Sequence, residues 1–84
     1  MDWALNPNGT LALTEIGVGQ RARLVKITAG QQATRRLTEL GLTPGVELEV
    51  LKGERNGPLL LAVRDTRLAV GRGMANKVLV RPVS

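Results

Sequence analysis

The sequence predicts a mostly β fold, a small barrel of about five short strands with one short α-helix. Three observations predict it. Apolar and polar residues alternate with period two in several segments that Gly, Pro, Asn and Asp turns separate. One segment alone carries clear helical spacing. The chain has 84 residues, enough for one domain with a small core. Short strands in so short a chain bury an aliphatic interior by closing on themselves.

The elements follow in order. Met1 to Thr10 reads as a flexible N-terminal tail. Asn6-Pro7-Asn8-Gly9 is turn chemistry, and Trp3 is the chain's only aromatic residue. The domain proper is expected over residues 11–84. Leu11, Leu13 and Ile16 form a short apolar approach, and Gly17-Val18-Gly19-Gln20 a turn. In Arg21 to Ile27, Ala22 and Leu24 alternate with Arg21 and Arg23, which predicts a half-buried strand with a basic outer face. Thr28 and Gln31 stand at capping-box spacing before a helix over Gln31 to Leu40. There Ala33, Leu37 and Leu40 share the apolar face, Arg35 points to solvent and Arg36 flanks the stripe.

Gly41 is the expected left-handed C-cap. Pro44 and Gly45 at the second and third positions specify a type II turn. Val46, Leu48 and Val50 then alternate with Glu47 and Glu49 in a second strand. Gly53 to Pro58 is a loop with Asn56-Gly57 as its hairpin signal. Leu59 to Val63, apolar on both faces, reads as a central strand. Arg64-Asp65-Thr66 turns into a strand over Arg67 to Val70. Gly71-Arg72-Gly73 breaks the chain, and Met74-Ala75-Asn76 makes one helical turn. Lys77 to Arg81 is the last strand, ended by Pro82.

Composition excludes several chemistries. No Cys means no disulfide, no thiolate metal site and no cysteine nucleophile. No His means no imidazole base and no His-bearing zinc site. The longest apolar run, Leu59 to Val63, is far short of the roughly 20 residues that span a bilayer. Met1-Asp2-Trp3 opens without the basic and apolar regions of a signal peptide. Packing without staples suits a reducing, cytoplasmic setting.

Twelve basic residues against 7 acidic ones give a net charge of +5. On charge alone an acidic surface, a nucleic acid or an anionic lipid face could be the partner. Base-stacking barrels use aromatic side chains, and no strand here carries one, which disfavours nucleic acid. The Gly17 and Gly73 regions lack the third Gly and the helix context of a phosphate cradle. Glu47 and Glu49 share a strand face without imidazole or thiolate company, so no metal site is expected. Nothing brings Asp65 and the Glu residues together for acid–base work, so no catalytic residue and no cofactor are expected.

The run Arg36-Leu37-Thr38-Glu39-Leu40-Gly41-Leu42-Thr43-Pro44-Gly45 resembles the FeoA family, small cytosolic partners of bacterial ferrous iron transport. Its core is Leu-x-x-Leu-Gly-Leu-x-Pro-Gly. Leu13-Thr14-Glu15-Ile16, Asn56-Gly57-Pro58-Leu59, Thr66-Arg67-Leu68-Ala69-Val70 and Ala75-Asn76-Lys77-Val78-Leu79-Val80 extend the resemblance to roughly residues 11 to 82. The resemblance implies an SH3-like barrel that is not an enzyme. It implies a partner, the cytosolic GTP-binding part of the FeoB permease, reached from the cytoplasm without membrane insertion. It leaves room for a weak homo-oligomer. A similar module closes the DtxR-type metal-dependent repressors, so a detached regulatory or nucleic-acid-binding domain is the alternative.

Leu37, Leu40, Gly41, Pro44 and Gly45 read first as structure: two core residues, two positive-φ glycines and one fixed φ. Leu42 either folds back as the hydrophobic contact of the cap or stays exposed beside Arg35 and Arg36. Arg next to an apolar anchor is the composition of an interface hot spot. Arg35, Arg36 and Leu42 are therefore the candidate partner surface, with Arg21 and Arg23 next.

Overall fold

In the computed structural model, which describes residues 9–53 and 56–83, alternation becomes strand where the sequence predicts it. The elements are β1 (Leu11–Ala12), a 3-10 turn (Leu13–Glu15), β2 (Arg21–Ile27), α1 (Gln31–Glu39), β3 (Glu47–Gly53), β4 (Leu59–Val63), β5 (Thr66–Val70), α2 (Arg72–Ala75) and β6 (Val78–Val83). All six strands join one antiparallel sheet in the order β1-β6-β2-β3-β4-β5. The sheet has one strand more than expected, since the approach at Leu11 pairs with Val80. No ladder joins β5 back to β1, so the sheet stays open. Between β5 and β6 the chain passes through α2, whose Ala75 is fully buried. Burial there comes from side chains rather than from ladder hydrogen bonds.

The core is wholly aliphatic. Ala22 and Leu24 of β2, Leu48 and Val50 of β3, Leu59, Leu61 and Val63 of β4 and Val78 and Val80 of β6 all face it. Each fully buried Leu or Val contributes about 1.5–3 kcal/mol of transfer free energy. Thr10 is buried too, so the structured region begins at least one residue before Leu11. Met1 to Asn8, with Trp3, lie outside the described residues, as do Glu54 and Arg55 of the β3–β4 loop.

Two β-bulges keep lysines out of this core. Strict alternation after Leu24 and Val50 would point Lys26 and Lys52 inward. The register shifts between Leu24 and Lys26, and again between Val50 and Lys52. Lys26 then pairs with Leu79 on the outer face, and Ile27 comes round against Val78. Lys52 pairs with Leu60 outside, and Gly53 comes round to Leu59. An extra residue in one strand is the ordinary way to reset a pleat.

Three local expectations are corrected. β4 has a strand on each side, but its second face is not buried: Leu60 and Ala62 are only half covered. The last strand runs through Pro82, which pairs with Ala22. β1 pairs with β6 only at Leu79 and Val80. No ladder there requires the missing Pro82 N–H. The Thr28–Gln31 capping box does not form. Thr28 instead donates its hydroxyl and N–H to the Lys77 carbonyl, at 2.9 and 2.7 Å, and Gly30 is the N-cap of α1.

Candidate interaction surface

The end of α1 decides which leucine faces water. Gly41 has φ +110° and follows the C-cap Leu40. Its N–H donates to the Thr38 carbonyl, and the Leu42 N–H donates to the Leu37 carbonyl, both at 3.0 Å. This bond pair defines a Schellman motif, in which the residue after the glycine packs against the last helical turn. Leu42 accordingly folds into the core beside Leu37 at 0% exposure, while Leu40 is 47% exposed. The assignment of Leu40 to the core and of Leu42 to a partner surface is therefore reversed. Leu40, as C-cap, keeps helical backbone angles with its N–H on the Arg36 carbonyl at 3.2 Å, and it is the turn after it that gives the buried position to Leu42.

The turn after the cap is as expected. Gly45 has φ +92°, and the Val46 N–H returns to the Thr43 carbonyl at 3.0 Å. This is the hydrogen bond and the glycine conformation of a type II turn with Pro44 at its second position. Arg35 and Arg36 are both exposed on α1. Arg36 stands one turn before the exposed Leu40, at i and i+4, while Arg35 lies further round the helix.

Arg21 and Arg23 lie on the outer face of β2, exposed as predicted. They are not bare charges. Glu47 of β3 sits between them, 3.3 Å from Arg21 and 3.7 Å from Arg23. Arg23 also donates to the Gly45 carbonyl at 2.9 Å, which ties the basic strand to the motif turn. With side chains about half exposed, such pairs contribute at most about 1 kcal/mol each.

One exposed residue escaped the sequence reading. Val18 is 62% exposed on the Gly17–Gln20 turn. The turn is well tied: the Gly17 N–H donates to Gln20 Oε1 at 2.7 Å and the Gly19 N–H to the Val50 carbonyl at 2.7 Å. An aliphatic residue between two glycines was the available signal. Among the described residues no three His, Cys, Asp or Glu side chains converge to hold a metal. A shallow depression of about 230 Å³ lies on the outer sheet face, lined by Lys52, Pro58, Leu60 and Ala69.

Comparison with known proteins assigns the family. The FeoA domain family matches residues 11–82. The chain belongs to the FeoA family. A relative from Methanocaldococcus jannaschii, named Fe(2+) transport protein A, is 36% identical over 62 residues, 74% of each chain. The crystal structure of an iron uptake regulatory protein, FeoA, superposes with a TM-score of 0.83 at 36% identity, covering 88% of this chain and 99% of that one. The zinc complex of Stenotrophomonas maltophilia FeoA, described as an SH3 domain protein, gives a TM-score of 0.72 at 30% identity, with 81% and 86% covered. The expected SH3-like, mostly β fold is thus confirmed. The same fold occurs in a manganese-dependent transcriptional repressor, at TM-score 0.80 and 21% identity, where this chain covers 42% of the repressor. FeoA proteins are accessories of ferrous iron transport. No described helix is long and apolar enough to cross a membrane.

Proposed function

We propose that this chain is a non-enzymatic accessory of ferrous iron uptake that works in the cytoplasm as an interaction module on the GTP-binding part of the FeoB permease. The observation that carries the reading is the family match over residues 11–82, which takes in every element from β1 into β6. The working surface is the end of α1, where Arg36, next to Arg35 in the chain, stands one turn before the exposed Leu40. Guanidinium groups beside an aliphatic anchor are the usual makings of a hot spot. Leu40, not Leu42, is the anchor, because a buried leucine cannot be gripped.

Capture of the purified FeoB GTP-binding domain by the immobilised chain tests this. The parent is expected to retain the domain, and Arg35→Glu/Arg36→Glu and Leu40→Ala, each shown to be folded, to lose it. Retention by both variants would move the surface to Arg21 and Arg23. No capture by the parent would sink the reading.

The second reading is a detached regulatory module of the metal-dependent repressor kind. What favours it is the fold shared with the manganese-dependent repressor. Deleting the gene separates the two. Loss of ferrous iron uptake with unchanged transcription of metal-regulated genes supports the transport role, and the converse supports the regulatory one.

A further inference from the structure

The sheet ends on β5, which pairs with β4 alone. Val63 and Thr66 flank the two-residue turn Arg64-Asp65 and oppose each other in the ladder, so they exchange both main-chain bonds. Bonded and unbonded pairs alternate along an antiparallel ladder. Leu68 and Val70 therefore turn their N–H and C=O to β4, and Arg67 and Ala69 turn theirs outward. Both outward residues are exposed, and among the described residues neither makes a further main-chain hydrogen bond. Two donors and two acceptors thus repeat along the edge at about 6.8 Å, the two-residue rise of an extended chain. The outer face has relief at the same edge. Ala69 ends the row Lys52–Leu60–Ala69, and with Pro58 these residues line the depression of about 230 Å³. Arg67 lies two residues along on the same face, in no ion pair among the described residues.

We propose that the β5 edge captures an extended segment of a partner protein by strand addition, a segment that sets an aliphatic residue opposite Ala69 and an acid opposite Arg67. The unpaired main-chain groups choose the class of partner. Another extended polypeptide brings both donors and acceptors at that spacing. A bilayer or a duplex meets a surface through phosphate acceptors and leaves the two carbonyls unmatched. Antiparallel entry puts the residue opposite Ala69 on the outer face. There the small alanine leaves the depression open to a long aliphatic side chain. Two residues on, an incoming carboxylate meets the Arg67 guanidinium across the strand. The residue between them turns to the core side, next to the buried Leu68.

A second copy of the chain is the poorer occupant. Pairing two β5 edges over both residues either sets the second copy's Arg67 directly opposite Arg67, which is destabilising, or lays it over Ala69 with its charge at the apolar depression. Sliding the other way brings in Gly71, whose carbonyl already accepts from Met74 and Ala75. The proposal does not require the FeoB reading, because its test contains no permease.

The test uses a synthetic peptide, acetyl-Ser-Thr-Leu-Val-Glu-Thr-Ser-amide, its Leu placed to face Ala69 and its Glu to face Arg67. Titration into the isotope-labelled full chain, followed by amide NMR, is expected to shift the Arg67 and Ala69 N–H signals most and to slow their exchange with solvent. Methylating the peptide nitrogens of Leu and Glu, which face β5, should weaken binding at least about tenfold. Methylating those of Val and of the Thr after Glu, which face away, should leave it within about twofold. On the protein, Ala69→Pro removes only an outward N–H, a change that an edge strand accepts, and should also cost at least about tenfold. Arg67→Glu should weaken the Glu peptide at least about threefold and favour a Lys counterpart. Circular dichroism first establishes that both variants are folded, and the methylated peptides decide the matter on the parent alone. Equal weakening by the two methylation patterns overturns the proposal, since side chains alone would then hold the peptide. So does a largest shift away from β5, or no binding by the parent at millimolar peptide. Self-association of the parent without peptide, abolished in Ala69→Pro, would overturn it in favour of a second copy.

Discussion

Gly41→Val perturbs one backbone angle and little else. Gly41 sits at φ +110°, and a Cβ built there would meet only Val63 Cγ1, at 3.8 Å, an ordinary contact. The Cβ itself adds no clash, so the backbone sets the floor of the cost and the two valine γ-carbons add to it whatever they meet. Holding an L-residue at positive φ costs about 1–2 kcal/mol, and a β-branched side chain lies at the upper end. Loss of glycine's freedom in the unfolded chain returns about 0.4–1 kcal/mol. A net destabilisation near 1 kcal/mol or more lowers the melting temperature of a domain this size by about 4–8 °C. Gly73→Ala is the matched control. Gly73 lies within α2, has no positive φ, and a Cβ there meets nothing within 4 Å. The same entropy effect, without strain, should raise its melting temperature. Thermal melts followed by circular dichroism read both. A Gly41→Val protein that melts with the parent, or a Gly73→Ala protein that falls equally, would refute the reasoning.

Two further predictions follow from the same geometry. Leu42→Ala should cost about 2–5 kcal/mol in urea unfolding, and Leu40→Ala should stay within about 0.5 kcal/mol; equal losses would contradict the cap. Arg64 opens the β4–β5 hairpin turn at φ +56°. Arg64→Gly should therefore stabilise the chain by roughly 0.5–1 kcal/mol, and a lower melting temperature would show that the arginine is not strained there.

Most of the sheet was legible because alternation is a strong signal. Ala22 and Leu24, Leu48 and Val50, and Val78 and Val80 are where period two puts them. The motif turn was legible for the same kind of reason: only a glycine satisfies the φ at Gly41 and at Gly45. Leu40 and Leu42 were harder. Helical spacing places Leu40 with Leu37, yet Leu40 is the C-cap and the Schellman turn after it hands the buried position to Leu42. Periodicity reads the helix and not the turn that follows it, and here that turn decided which residue could belong to a partner surface. β1 was missed because two residues hold too little pattern. The bulges did leave a mark. Leu24-Val25 and Val50-Leu51 each set two apolar residues together before a lysine. Thr28 was misread because its partner, the Lys77 carbonyl, is distant in sequence.

The bulges at Val25 and Leu51 mark where β2 and β3 can lose a residue and keep their faces. On β6 the partners Val80, Leu79 and Val78 are consecutive, and they already oppose Leu24, Lys26 and Ile27. On β4 the consecutive Leu61, Leu60 and Leu59 oppose Val50, Lys52 and Gly53 in the same way. Deleting Val25 or Leu51 therefore joins residues that are already in step. A deletion at a paired position instead sends its strand neighbours to the opposite side. What the extra residue adds is bend and twist, so its loss straightens the strand without inverting it. Length changes that this lineage tolerates within β2 and β3 should gather at positions 25 and 51, where they cost curvature and bury no charge.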